Sequence, residues 1–316
     1  MPRFSVIVPA CHARSRLHAC LESVLSQPFE DLELIAVDSG CAAGSPFGSH
    51  GSREGALDGS PDDCASLVDE VAARDRRVVT LRAPADGPGH PGGAGPARNT
   101  GLDRATGDYV LFLDAADTLL PDALQTIADR LKETGSPDAL LFGHARVPWA
   151  GTPQPGPGRR LLAQTGPAPF TLADRPGLLR APAACSAAYS REFLEREGLR
   201  FPPGDHEHVP WTYPVLMAAG SLATLDRVCV GQHPRRDRTS RRPSDLFDQY
   251  ERLFAYVDER PALHRWRAPL FGRMADDLAA LFRASARLPR PQRAELARRA
   301  RAHCRRHRTP GAAATG

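Results

Sequence analysis

Two aspartates, Asp114 and Asp117, stand three residues apart at the end of the apolar run DYVLFLD. Hard carboxylate oxygens in that arrangement suit Mg²⁺ or Mn²⁺ held jointly by protein and a diphosphate. Such a cation offsets charge on a departing nucleotide diphosphate. An equal reading makes Asp117 the N-cap of a helix beginning near Leu120. Asp38 closes a second apolar run, LELIAVD. Its carboxylate, an acceptor only, can take a ring N–H of a base or cap a turn. Residues 92–101, GGAGPARNTG, form a glycine-rich loop that opens onto a helix. Backbone N–H groups there can receive an anion, with the forked guanidinium of Arg98 beside them. The loop is not of the Walker type, because no G-K-[S/T] follows. His206 and His208, in GDHEHVPW, are either proton acceptors suited to neutral pH or two residues of a solvated loop.

The elements that must carry these groups read as α/β. Residues 4–9 (FSVIVP) and 32–37 (LELIAV) are short β-branched apolar runs, the form of strands buried on both faces. Between them residues 17–25 carry a helical apolar stripe. Strand, helix and strand make a right-handed crossover with parallel strands. A helix over 64–74, a strand over 78–81, a helix over 97–106, a strand over 108–113 and a helix over 121–133 with Pro in its first turn continue the pattern. Residues 39–63, 83–96 and 147–169 are rich in Gly, Pro and Ser and read as loops. Beyond 170 the spacing predicts short helical pieces at 173–179 and 190–198, a turn at 202–204, a helix over 210–219, a strand over 223–230, and helices over 246–260, 266–285 and 291–306. The expected division is a domain at 1–235, a helical C-terminal extension at 236–308 and a disordered tail at 309–316. Ligands of an open parallel sheet bind at the carboxyl ends of its strands, where residues 9–12, Asp38 and Asp114–Asp117 fall.

Composition bounds the reading. The 316 residues are 41% hydrophobic and 25% charged, which excludes a disordered or fibrous chain. Forty-one basic against 37 acidic residues leave a net charge of +4, too little for a general polycation field, so no nucleic-acid partner is expected. Seven scattered cysteines form no C-x-x-C pair, and no apolar stretch approaches the ~20 residues of a membrane span. A reducing, cytoplasmic setting follows. No glycine cluster follows residues 4–9, which argues against a dinucleotide-binding unit.

The order FSVIVPA, LELIAVD, GPARNTGLDRATGDYVLFLDAAD and then a Glu within GDHEHVPW resembles family 2 glycosyltransferases of the GT-A fold, over residues 2–233. The phrases FTLADRPGLL, LRFPPG, PWTYP, LDRVCV and FDQYERLFAYVDERP are similar to the glycosyltransferase module that precedes CDP-glycerol glycerophosphotransferase modules. The resemblance implies a GT-A sheet, mostly parallel and flanked by helices. It also implies an inverting transfer from a nucleotide-sugar donor to a glycan or polyol-phosphate acceptor hydroxyl, in cell-wall polymer or surface glycan synthesis. Pro9, Ala10 and Asp38 would face the nucleoside, Arg98 and Asn99 would hold the donor, and Asp114 with Asp117 would bind a divalent cation, Mn²⁺ or Mg²⁺, and the sugar diphosphate. Glu207 and His208 occupy the place of an E-D pair whose acidic residue deprotonates the acceptor.

Several of the family's motif positions are substituted. D-S-D-D is here Asp114-Ala115-Ala116-Asp117, and the base position is His208. A W-N-K-like stretch is Cys185-Ser186-Ala187, Ser39 replaces a second Asp, and Cys11 replaces an aromatic. Losing one well-placed electrostatic group costs roughly 3 kcal/mol, on the order of 10²-fold in rate. The alternative expectation is therefore a catalytically degenerate nucleotide-binding or scaffold protein. The basic segment 233–242, with His233 and five Arg, is either a loop covering the donor diphosphate or a solvated face. The Arg-rich last helix can lie on an anionic membrane face, or meet solvent or a partner.

Overall fold

Every one of the seven side chains of β1 (Phe4–Ala10) is buried, as a strand covered on both faces requires. A computed structural model describes residues 3–10, 14–38, 64–83, 94–148, 152–156, 158–163, 168–180, 184–233, 243–285 and 289–308. After β1 come α1 (Arg14–Leu25), β2 (Leu32–Asp38), α2 (Cys64–Arg74), β3 (Val78–Arg82), α3 (Ala94–Arg104) and β4 (Tyr109–Phe112). β1 pairs in parallel with β2 and β4, and β2 with β3, so the first four strands form the expected parallel sheet. Its carboxyl edge carries Ala10 opposite Asp38, while the Leu113 N–H just before Asp114 bonds to the Ile7 carbonyl.

The second half departs from an all-parallel pattern. β5 (Thr118–Leu119), α4 (Ala123–Glu133), β6 (Ala139–Arg146), β7 (Gln154–Pro155), α5 (Arg159–Ala163), β8 (Ala187–Ser190), α6 (Arg191–Arg196), α7 (Val209–Ala218) and β9 (Leu222–Gln232) follow. Spatial order is β3-β2-β1-β4-β8-β6-β9-β5, with β7 on β6. β8 enters antiparallel between β4 and β6, whereas β6 and β9 run parallel. A turn and a short strand, rather than a crossover helix, follow β4, and this frees the sheet to change direction. The run ALLFGHAR, given no element above, is β6, with all but its last residue buried. Its bulge falls at Gly143, where a Cβ would lie 3.0 Å from the Arg227 carbonyl.

Alternate residues of β1 feed two cores. Val6 and Val8 pack with Leu17, Leu21 and Ile127 of α1 and α4, while Ile7 joins Trp211, Tyr250, Phe254 and Met274 on the opposite face. That second cluster extends through α8 (Asp245–Asp258) and α9 (Arg267–Ala284) to Leu296 of α10 (Arg290–His307), so the C-terminal helices share a core with the sheet. The expected tail at 309–316 and the basic residues 234–242 lie outside the described residues. Among the described residues no helix is long and apolar enough to cross a membrane.

A buried polar knot fixes the turn into β4. Glu33, 5% exposed, accepts hydrogen bonds from the Ser5 hydroxyl (2.6 Å), the Thr106 N–H (2.7 Å) and the Thr106 hydroxyl (2.9 Å). Gly107 passes so close to β1 that a Cβ would meet the Ser5 nitrogen at 2.7 Å. Thr106 and Gly107 of the ATGDY phrase are therefore fold determinants.

Candidate functional site

α3 is brought against the loop that precedes α7 by two of its own residues. Gly95 permits the approach: a Cβ there would lie 2.6 Å from the Pro202 carbonyl oxygen and 3.5 Å from Glu207 Cγ. Asn99 then secures the loop, donating to the Phe201 carbonyl (2.8 Å) and accepting from the Phe201 N–H (2.9 Å). From the far side, Gln249 of α8 donates to the carbonyls of Pro203 (2.9 Å) and Asp205 (3.1 Å). Phe201 lies flat on Trp211, 3.9 Å between centroids, and Phe112 of β4 meets both edge-on. This is a rigid apolar floor.

Arg98 lies above that floor, 4% exposed, its guanidinium 5.0 Å from the Phe201 centroid. One nitrogen donates to Glu207 Oε1 at 2.6 Å and the other to Asp114 Oδ1 at 2.7 Å, with Cys185 Sγ at 3.9 Å. Burial disfavours its charge, but Asp114, Cys185 and Glu207 more than offset that, and the guanidinium is held firmly protonated. Burial likewise works against the Glu207 carboxylate, yet the Arg98 charge and hydrogen bond hold it below the usual carboxylate range. One buried cation thus joins the end of β4 to the loop before α7.

Asp117, 4% exposed, is not the start of a helix: α4 begins at Ala123, with Asp122 at its N-cap position. The capping alternative falls, because β5 intervenes. The Asp117 N–H donates to the Asp114 carbonyl (2.8 Å), and its Oδ1 accepts the His233 N–H (3.0 Å). His233 accepts from Arg16 at Nδ1 (2.8 Å) and faces Thr118 Oγ1 at 3.4 Å. Burial and Arg16 lower its proton affinity, so the ring is neutral. Beneath lies the Cys20 thiol, 3.6 Å from the Asp114 carbonyl, pushed up by burial and by the charges of Asp117 and Asp114.

Of the residues read from sequence, Arg98, Asp114 and Glu207 are in direct contact and Asp117 is tied to Asp114. Asn99 sits one residue along α3 with its amide engaged by Phe201. Pro9, Ala10 and Asp38 line the same carboxyl edge two strands deep, with Pro9 in register with Val37. His208 occupies the N-cap position of α7, its carbonyl accepting from Thr212 (2.8 Å) and its ring 6.0 Å from that of His206. Sequence reasoning did not place the Arg98–Glu207 pair or the His233–Asp117 contact, since 109 and 116 positions separate the partners.

The donor set suits a cation. Asp114 and Asp117 supply hard carboxylate oxygens, the donors that suit a divalent cation.

Residues 5–46 and 56–197 match the profile described as "Glycosyl transferase family 2". The chain belongs to this family. Among its curated relatives is the GalNAc(5)-diNAcBac-PP-undecaprenol beta-1,3-glucosyltransferase of Campylobacter jejuni, 32% identical over 147 residues, which are 46% of this chain and 39% of that protein. An uncharacterized glycosyltransferase of Haemophilus influenzae is 30% identical over 125 residues, 40% of each chain. This chain thus spans about two fifths of the length of these relatives. Its fold is similar to the crystal structure of S. aureus TarS residues 1–349 in complex with UDP-GlcNAc, with a TM-score of 0.61 at 19% identity, covering 96% of this chain and 89% of that one. The GT-A architecture, with its helical C-terminal region, is thereby established.

Proposed function

We propose that the chain transfers a sugar from a nucleotide-activated donor to an acceptor hydroxyl with inversion at the anomeric carbon. The observation that carries this is the buried Arg98 fork, which joins the strand-end Asp114 to Glu207 at the rim where Asp38 and Ala10 also stand. Asp38 would accept from the base of the nucleotide, and Arg98 would hold the donor end, with Asn99 keeping its wall in place. Asp114 and Asp117, with His233 alongside, are the residues that would hold Mn²⁺ or Mg²⁺. Bound there, the cation would neutralise charge on the leaving diphosphate.

His208 is the proposed base. Arg98 weakens Glu207 as a proton acceptor, whereas the imidazole next to it is competent at neutral pH. His208 would take the acceptor hydroxyl proton as the oxygen bonds to the anomeric carbon and the bond to the diphosphate oxygen breaks. Glu207, kept ionised, would stabilise the imidazolium formed beside it. The acceptor class favoured is a glycan or polyol phosphate of surface-polymer synthesis. The Campylobacter jejuni relative, named for a lipid-linked glycan substrate, supports this reading. Against contact of α10 with a membrane stands its Leu296, which is buried in the core.

One observation favours a second reading, a nucleotide-binding protein that performs no transfer: Arg98 engages Asp114 Oδ1 where Ala116 supplies no further carboxylate. Calorimetry with UDP and Mn²⁺, paired with an assay of donor turnover over a panel of nucleotide sugars, separates the two. Binding with turnover supports the transferase, binding without turnover supports the second reading, and no binding removes both.

A further inference from the structure

Far from this rim, α8 and α10 converge on a second cluster. His303 and His307 stand one turn apart on α10, the i,i+4 spacing that places two imidazoles on one helix face. Both are buried, at 9% and 4% exposure, and both address the same atom of α8. Glu251 Oε1 lies 3.3 Å from His303 Nδ1 and 3.1 Å from His307 Nε2. The ligand-capable atoms of the three residues all lie within 4.8 Å of one another.

Hydrogen bonding alone accounts poorly for this. Arg306 also reaches Glu251 Oε1, at 3.1 Å, so three N–H groups would converge on one oxygen that has two lone pairs. Among the described residues the outward ring nitrogens, His303 Nε2 and His307 Nδ1, are buried without a hydrogen-bond partner, while the inward ones both face Glu251. Four-coordinate zinc with bonds near 2.0–2.1 Å separates its ligands by about 3.3 Å, close to the two Glu251–His distances. Phe254 stacks on His307 at 4.2 Å and Phe247 meets His303 edge-on at 5.3 Å, which fixes both rings. A recess of about 200 Å³, bordered by Glu251, Arg299, Ala302, His303 and Arg306, leaves an open side for entry and for a water ligand.

We propose that Glu251, His303 and His307 form a zinc site that pins α10 to α8. Two imidazoles and one carboxylate are a borderline donor set that prefers Zn²⁺ to Mg²⁺ or Mn²⁺. Arg306, exposed and held by this one contact among those described, swings off as the ion enters.

The test uses the full chain carrying Asp114→Asn and Asp117→Asn, so that donor-rim carboxylates do not compete. Titration with Zn²⁺, and with Co²⁺ as a spectroscopic substitute, should give one equivalent per chain, visible bands of a four-coordinate Co²⁺ centre and a raised melting temperature. Excess Mg²⁺ should not displace the ion. His303→Ala and His307→Ala should each weaken binding about a hundredfold or more. Absence of the Co²⁺ bands, or unchanged affinity in both histidine variants, overturns the proposal. Should those variants misfold, trypsin digestion of the unsubstituted chain decides: Zn²⁺ must slow cleavage after the arginines of α10, and an unchanged rate refutes the site. None of these readouts depends on sugar transfer.

Discussion

Replacing Arg98 by Met would remove the one cation between two largely buried carboxylates while keeping most of the side-chain volume. Arg98 is 5% exposed at its side chain, Asp114 20% and Glu207 16%. Breaking a fully buried pair from one side costs about 3–5 kcal/mol. The residual exposure lets water reach both carboxylates, which brings the expected loss to about 2–4 kcal/mol. For a chain of this length that is a fall of roughly 3–6 °C in melting temperature. The pH dependence is set by direction. Glu207 titrates below its ordinary value in the folded chain because of Arg98, so its contribution is present above the unfolded carboxylate range and is lost as pH falls through the folded value. The deficit of R98M should therefore be large at pH 7.5 and shrink toward pH 4. Urea denaturation of both proteins at the two pH values, with circular dichroism as the fold control, measures it. A deficit below about 0.5 kcal/mol at pH 7.5, or one that is the same at both pH values, would refute the bridging role of Arg98.

H208A should lower kcat by about 10²–10⁴-fold with little change in donor KM, and the acid limb of the wild-type pH–rate profile should disappear; an unchanged kcat would remove His208 as base. G95A drives a Cβ to 2.6 Å from a backbone oxygen and should cost about 1–3 kcal/mol. G272A, where nothing lies within 4 Å, should be neutral or stabilising in the same denaturation series. Burial raises the Glu33 carboxyl, but hydrogen bonds from Ser5 and Thr106 and the charge of Arg3 outweigh it and hold it low. Its contribution is thus present above the unfolded value and is lost as pH falls through the folded one. E33Q should cost about 1–3 kcal/mol near pH 7 and give a flatter acid-unfolding curve, and parallel curves would count against that account.

The parallel half of the sheet was legible because its strands are buried on both faces and announce themselves as unbroken apolar runs. β6 carries an equally plain run, ALLFG, yet lies in a stretch where the expected order of strand and helix no longer applies. β8 is four small or polar-ended residues whose strand character comes from sandwiching between β4 and β6, a tertiary effect that propensity does not record. In the site, Asp114 and Asp38 could be found because a strand terminus is a local signal. The partnership of Arg98 with Glu207 could not, since it depends on a loop folded back across more than a hundred residues. Asn99 shows the converse: the ARN phrase singled it out, and its amide grips backbone.

The grip of Asn99 on Phe201 spans 102 positions and uses no side chain from the intervening chain. Helix and loop therefore form one wall whose joint runs from amide to backbone, so the joint asks nothing of the side chain carried at position 201.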